Sequence, residues 1–390
     1  MKYILPALLL SAAGAWAADI NDAALEIASR QPSLLAEKNR IEAELQSFKA
    51  ENVLEGPEAE FEYKFAPQGE DNRWGVSVGQ AFDWPGVYYS RSKANGYRAE
   101  AYTFLYRRNL LEKALEVKNA MIRLGEAAEI LQTLEEAHES LERLNDYYRN
   151  ALERGETTVL EAKKVQLQIF DIHQRLATAQ NDYDAARIAL ETLAGDYDIA
   201  KLDLDEVPVP ELNAFEFYQT SMAEANPDVA YNEGMSRVAK ANVGVAARSS
   251  FPTIKLAYLH DFEDGMHFNG FGVSLSLPQW TNRSKMRAAR AEAFAAEQTL
   301  IDSRLKASAD FRIAYDEAMR LHDALANNRE VFEGEEYTEY LNIALKAGRI
   351  NIFTYLTEYV DYLDYKASYI SLQADYARAE AWVGRYAIDK

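Results

Sequence analysis

Trp74-Gly75-Val76-Ser77-Val78 recurs, class for class, as Phe271-Gly272-Val273-Ser274-Leu275. Large apolar residues alternate with glycine and serine, the period-two pattern that puts one set on each face of a strand. The runs beside them alternate as well. Phe61, Tyr63 and Phe65 are interleaved with Glu60, Glu62 and Lys64, and Ile254, Leu256 and Tyr258 with Thr253, Lys255 and Ala257. Strands are expected over about 58–66, 73–83, 252–262 and 269–279, each near the length a tilted strand needs to cross a bilayer. One face carries Phe61, Tyr63, Phe65, Trp74, Val76, Val78, Leu256, Tyr258, Phe271, Val273 and Leu275; the other is polar or tiny. That is the pattern of a membrane barrel with a wet interior, and the first face is expected to meet lipid. A small sheet packed on protein would share the alternation. Phe65, Trp74, Trp84, Phe262, Phe268 and Trp280, near the strand ends, are expected to form interfacial girdles.

The repetition extends well beyond these strands. Gln31-Pro32 matches Asn226-Pro227, Pro57 matches Pro252, and Tyr63 matches Tyr258. Ser90-Arg91-Ser92-Lys93 matches Asn282-Arg283-Ser284-Lys285, and Ala151-Leu152-Glu153-Arg154-Gly155 matches Ala344-Leu345-Lys346-Ala347-Gly348. The order is kept throughout, so the chain reads as a tandem duplication with a period of about 195 residues. The expected division is a signal segment 1–17, a first repeat 18–210 and a second repeat 211–390.

Proline placement marks the helices. None lies between Pro85 and Pro208, and none follows Pro278. Proline breaks helix interiors, so these gaps can hold very long helices. Expected helices are about 33–55, 88–153 and 157–194 in the first half, and about 227–249, 283–346 and 350–388 in the second. Val165, Ile169, Ile172, Leu176, Ala179, Tyr183, Ala186, Leu190 and Leu193 alternate steps of four and three, a coiled-coil seam. A similar series, less regular, runs through Val117, Met121, Leu124, Ala128, Leu131, Leu134, His138 and Leu141. The last helix carries two stripes, one from Tyr355, Tyr359, Tyr362, Tyr369 and Tyr376, the other from Ile352, Leu356, Val360, Leu363 and Ile370. Two stripes suit a helix with a neighbour on each side.

Composition narrows the function. Formal net charge is −20, which argues against a nucleic-acid surface. There is no cysteine, hence no disulfide or thiolate site. Lys2, the apolar Ile4 to Ala13 and the small-x-small Ala15-Trp16-Ala17 read as a secretory signal. No later run of 18 apolar residues exists, so helical spans are not expected. No phosphate loop, His-Glu-x-x-His or triad pattern is present, so no enzyme and no cofactor are expected. His260 and His267 flank the loop between the third and fourth expected strands and could meet a metal, but divalent sites usually need three or four convergent ligands, so His138, His173, His260, His267 and His322 read as isolated surface residues and no metal site is expected. Four strands cannot close a barrel, and an open edge is not tolerated in lipid. Sister chains must therefore complete it: a dimer would supply eight strands and a trimer twelve.

With Phe82-Asp83-Trp84-Pro85-Gly86 entering the long helix and helical-hairpin turns around Gly155 and Gly348, the chain resembles the TolC family of outer-membrane efflux and type I secretion channels. The resemblance covers essentially all of the chain after the signal segment. It departs in being short, with the belt extensions reduced to about 196–226, and in lacking the lipidated cysteine of many relatives. It implies a mainly α chain with a small transmembrane β part. Three copies would form a twelve-stranded barrel and an α-helical barrel in the periplasm. It also implies a periplasmic adaptor and an inner-membrane pump as partners. The adaptor-docking tip would be Arg154, Gly155, Glu156 and Thr157 with Ala347, Gly348 and Arg349. The periplasmic gate would sit at Glu161, Thr354, Thr357 and Glu358, because relatives often place acidic residues six and nine positions past the tip glycine. The rival readings are a periplasmic adaptor and a soluble coiled-coil scaffold.

Overall fold

A computed structural model of the chain describes residues 20–67, 72–276, 282–332 and 336–386. The signal segment 1–17 and Trp280 lie outside them. In chain order the elements are α1 (20–30), α2 (Pro32–Ala50), β1 (Glu58–Lys64), β2 (Arg73–Phe82), α3 (Pro85–Glu153), α4 (Val159–Ala194), α5 (Phe215–Ala225), α6 (Pro227–Arg248), β3 (Thr253–Glu263), β4 (Met266–Ser276), α7 (Asn282–Phe332), α8 (Glu336–Lys346) and α9 (Ile352–Gly384). Pro32, Pro85 and Pro227 each open a helix, where the missing N–H costs nothing and the fixed φ is already helical. α5 was not anticipated within 196–226. It stops at Asn226, whose backbone is extended (φ −66°, ψ 109°), as the residue before a proline prefers.

Contacts group the chain into two compact units, each drawing on both halves of the sequence. Of the described residues, one comprises those within 36–108 and 227–307; the other comprises those within 20–35, 109–226 and 308–386.

The first unit holds an antiparallel sheet in the order β1-β2-β3-β4. The register pairs Phe61 with Val76, Tyr63 with Trp74, Val78 with Tyr258, Leu256 with Val273, and Tyr258 with Phe271. Directly opposed residues share a face, so the expected apolar set lies together on one side. Three expectations are corrected here. Phe268 pairs with Asp261 and so stands on the opposite face from Trp74 and Phe262. β1 ends at Lys64, leaving Phe65 just past the strand, where its ring meets Tyr63 edge-on at 5.0 Å. β4 begins at Met266 instead of about 269, because Asp264 and Gly265, at φ 51° and 74°, make a two-residue turn. Positive φ at both central residues is the mirror-type turn whose twist matches the strands it joins.

The same unit explains the Phe82-to-Gly86 mark. The Asp83 carboxylate accepts from Arg91 Nη1 at 3.0 Å and Thr253 Oγ1 at 3.4 Å, and its backbone N–H donates to Tyr88 Oη at 3.0 Å. Trp84 stacks on Phe251 at 5.1 Å. The strand-to-helix corner of the first half is thus tied to the start of β3. α3 and α6 approach closely: a Cβ on Gly234 would stand 2.7 Å from Ala101 Cβ.

The second unit is helical. Val165, Ile169 and Ile172 of α4 bury against Ala137 and Leu141 of α3, and against Ile352, Leu356 and Tyr359 of α9. Both stripes of α9 are buried, apart from the half-buried Val360. The stretch between α4 and α5 crosses α3, α9 and α7. A Cβ on Gly125 would meet the Glu206 carbonyl at 2.7 Å. The Val207 N–H donates to Glu129 at 3.2 Å, Tyr376 Oη donates to the Pro210 carbonyl at 2.6 Å, and Tyr315 Oη donates to the Asn213 carbonyl at 3.1 Å. Burial holds the Glu129 carboxyl above the usual range, only partly offset by the Val207 amide.

Candidate functional site: two helical tips and an apolar sheet face

Both expected tips are built alike. Gly155 and Gly348 sit at φ 73° and 66°, the left-handed region that a side chain disfavours. At the first, the Glu156 N–H donates to the Ala151 carbonyl (2.8 Å) and the Gly155 N–H to Leu152 (3.0 Å). At the second, Arg349 donates to Ala344 (2.9 Å) and Gly348 to Leu345 (3.0 Å). These paired bonds are the Schellman arrangement, which satisfies the last carbonyls of a helix. Nothing lies within 4 Å of a Cβ placed on either glycine, so both turns face open space. Arg154 pairs with Glu156 at 2.8 Å and holds its carboxyl below the usual range.

The next helix starts differently at the two tips. Thr158 caps α4. Its Oγ1 accepts from the Glu161 N–H at 3.2 Å, while the Glu161 carboxylate accepts from the Thr158 N–H (2.9 Å), Thr158 Oγ1 (2.8 Å) and Thr157 Oγ1 (2.7 Å). This is a capping box. The Thr158 amide first, then the two hydroxyls, hold the Glu161 carboxyl below the usual carboxylate range. At the other tip Asn351 caps α9, accepting from the Thr354 N–H at 2.9 Å and Thr354 Oγ1 at 3.2 Å. Glu161 and Thr354 therefore hold the same place, the third residue of their helices. Thr357 Oγ1 bonds back to the Phe353 carbonyl at 3.0 Å, and Glu358 accepts from Tyr337 Oη at 2.9 Å, joining α9 to α8. The spacing Thr158-x-x-Glu161 is itself a capping signal legible in the sequence.

The apolar sheet face is strongly exposed. Phe271 is 88%, Val273 68% and Phe61 66% accessible. Leu256, Tyr258, Leu275 and Val78 are also exposed, while Trp74 and Val76 are half-buried within the sheet. At the hairpin end of this face the rings cluster: Trp74 with Phe262 at 5.8 Å and with His260 at 5.7 Å, and Phe262 with His267 at 4.9 Å. At the helix end Trp84 and Phe251 form a second aromatic pair. Phe251 was not among the expected girdle residues, because it precedes Pro252 outside the alternating run.

The histidines are not all isolated, contrary to expectation. His260 and His267 approach to 3.3 Å between ring nitrogens, and His260 Nδ1 lies 2.8 Å from Asn269 Oδ1. His138 and His173 bring their rings to 4.5 Å. Antiparallel pairing of the sheet and of α3 with α4 joins residues that are distant in sequence.

Residues 24–196 match the family model of the outer membrane efflux proteins. No curated protein matches the sequence. Among solved structures, the chain is similar to a membrane protein from Pseudomonas aeruginosa, at 18% identity over 94% of this chain and 92% of that one, with a TM-score of 0.79. It is similar to the Campylobacter jejuni CmeC outer membrane channel at 16% identity over 94% and 84%, with a TM-score of 0.74. It is also similar to the open state of the Neisseria gonorrhoeae MtrE outer membrane channel at 20% identity over 95% and 88%, with a TM-score of 0.71. The resemblance read from the sequence is borne out, by the family model over residues 24–196 and by the fold over nearly the whole chain. The fold is therefore that of the solved outer-membrane channels, and the family match itself is carried by residues 24–196. At these identities the likeness to each solved channel is one of fold.

Proposed function

We propose that this chain is the outer-membrane duct of a tripartite export system. Three copies would complete a twelve-stranded barrel above a periplasmic helical tube, which docks on a periplasmic adaptor joined to an inner-membrane pump. Each repeat, 18–210 and 211–390, would supply one hairpin of the sheet and one helical tip. The observation that carries this reading is the sheet: among the described residues it has four strands, one exposed apolar face, and edges at β1 and β4 that no further strand pairs. Lipid on that face leaves the edges no water to bond, so sister sheets must pair with them. Exposed apolar residues at helical spacing, Leu160, Leu167 and Phe170 on α4 and Phe294, Ile301 and Leu305 on α7, offer faces for sister helices to cover.

The chain has no cysteine, so paired replacements report cleanly. Glu60→Cys with Ser274→Cys puts one thiol on each edge strand. Oxidation in membranes should yield a covalent trimer ladder on a denaturing gel; monomer alone would sink the proposal.

Docking is assigned to the tip residues Arg154, Gly155, Glu156, Thr157, Ala347, Gly348 and Arg349. Replacing Gly155 and Gly348 by bulky charged residues should abolish export while the trimer survives. The gate is assigned to Glu161, Thr354, Thr357 and Glu358, which threefold symmetry would repeat as rings. Carboxylate rings attract cations. Neutralising Glu161 and Glu358 should therefore weaken cation block of single-channel current.

A further inference from the structure

Nothing in the duct reading uses the histidine cluster between α3 and α4. His138 and Glu142 lie one turn apart on α3, and His173 meets them from α4, with one ligand atom from each within 4.8 Å of the other two. The three are rooted beside buried seam residues: Ala137 and Leu141 on α3, Ile172 on α4. Packing therefore fixes the separation of the two helices at this level. His138 Nδ1 is buried with no hydrogen-bond partner among the described residues. A buried polar atom left unpaired is costly, and the ring that carries this one has a second imidazole and a carboxylate beside it. His173 is exposed, so an ion has a path in from solvent.

We propose that His138, Glu142 and His173 form a site for a divalent transition metal of the zinc type, stapling α3 to α4. Two neutral imidazole nitrogens and one carboxylate oxygen are a borderline donor set. It suits zinc better than magnesium or calcium, which take oxygen ligands. Three protein ligands leave a fourth tetrahedral position for water. Bonds of about 2.0–2.1 Å put tetrahedral ligands about 3.4 Å apart, so modest side-chain rotation closes the cluster onto an ion. His138 precedes Gly155 by 17 residues and His173 follows it by 18. At 1.5 Å per residue the staple stands about 26 Å along the hairpin from its turn. Bound metal fixes the register of the two helices that carry the first tip.

The test uses the full chain in detergent, stripped with a chelator and titrated with Zn²⁺ alone. The expected result is about one zinc per chain and a zinc-dependent rise in Tm. Co²⁺ in place of zinc should give the visible absorption bands of a tetrahedral site. His173→Asn and Glu142→Gln should each weaken zinc binding by more than about 10-fold, at least the loss seen when a supporting residue is removed. Both should also erase the cobalt bands. Equal Tm values without zinc would show that these variants keep the fold. His260→Asn, in the separate pair on the sheet, should change nothing. Absence of binding overturns the proposal, as does unaltered affinity in both cluster variants or loss of binding in His260→Asn alone.

Discussion

Gly155 and Gly348 show how little chemistry a tip requires. Each needs a left-handed backbone and nothing else, since open space surrounds both. Alanine at either position fits sterically but should cost about 1–2 kcal/mol for the left-handed backbone, and asparagine, which tolerates it, distinctly less. Thermal melting of the single variants checks this ranking. Glu161 makes a second prediction. Its carboxyl is held low in the folded chain, so its contribution is full above the ordinary carboxylate pKa and is lost as the pH falls through the lowered value. Glu161→Gln keeps the capping geometry without the charge. Its Tm should therefore fall less than wild type's as the pH drops below about 4. Parallel acid profiles for the two proteins would refute the assignment. At this scale the glycines were plain in the sequence, because a helix stop is local. The engagement of the Glu161 carboxylate was also spelled there, in Thr158-x-x-Glu161. Glu358 was not: its partner Tyr337 lies across a turn on another helix.

Elements follow their periodicities. The two stripes of α9 predicted a neighbour on each side, and α9 packs on both α4 and α8. Leu356 is fully buried between them, so Leu356→Ala should cost about 2–5 kcal/mol, read by thermal or denaturant melting in detergent. Close approaches obey a different logic. A side chain on Gly125 would run into the Glu206 carbonyl, and one on Gly234 into the Ala101 backbone. Neither partner can move as the end of a flexible side chain would. Gly125→Ala and Gly234→Ala should both lower Tm, whereas Gly96→Ala, with nothing within reach, should not. Strand ends were the poorest sequence reading. Alternation continues equally well past an end, and the firmer marker of where β3 stops is the Asp264-Gly265 dipeptide, a strong hairpin signal.

The whole molecule is governed by the exposed sheet face. Val273→Arg puts a charge on the surface assigned to lipid, at a cost of up to about 2–4 kcal/mol at the bilayer midplane. Ser274→Arg, its neighbour on the opposite face, should be tolerated far better. Outer-membrane yield of folded oligomer measures both, and equal yields would argue for a sheet packed on protein. The −20 charge favours no nucleic-acid partner.

Alternation, proline spacing and the doubled order of motifs were enough to give four strands, the long helix α3 and two glycine turns, because each depends on a residue and its near neighbours. Pairing across the chain was not available from them. That β2 lies beside β3, that Phe268 faces away from Trp74, and that His138 and Glu142 meet His173 are outcomes of register, which burial of the seams and the ladder of backbone hydrogen bonds fix only once the helices and strands have packed.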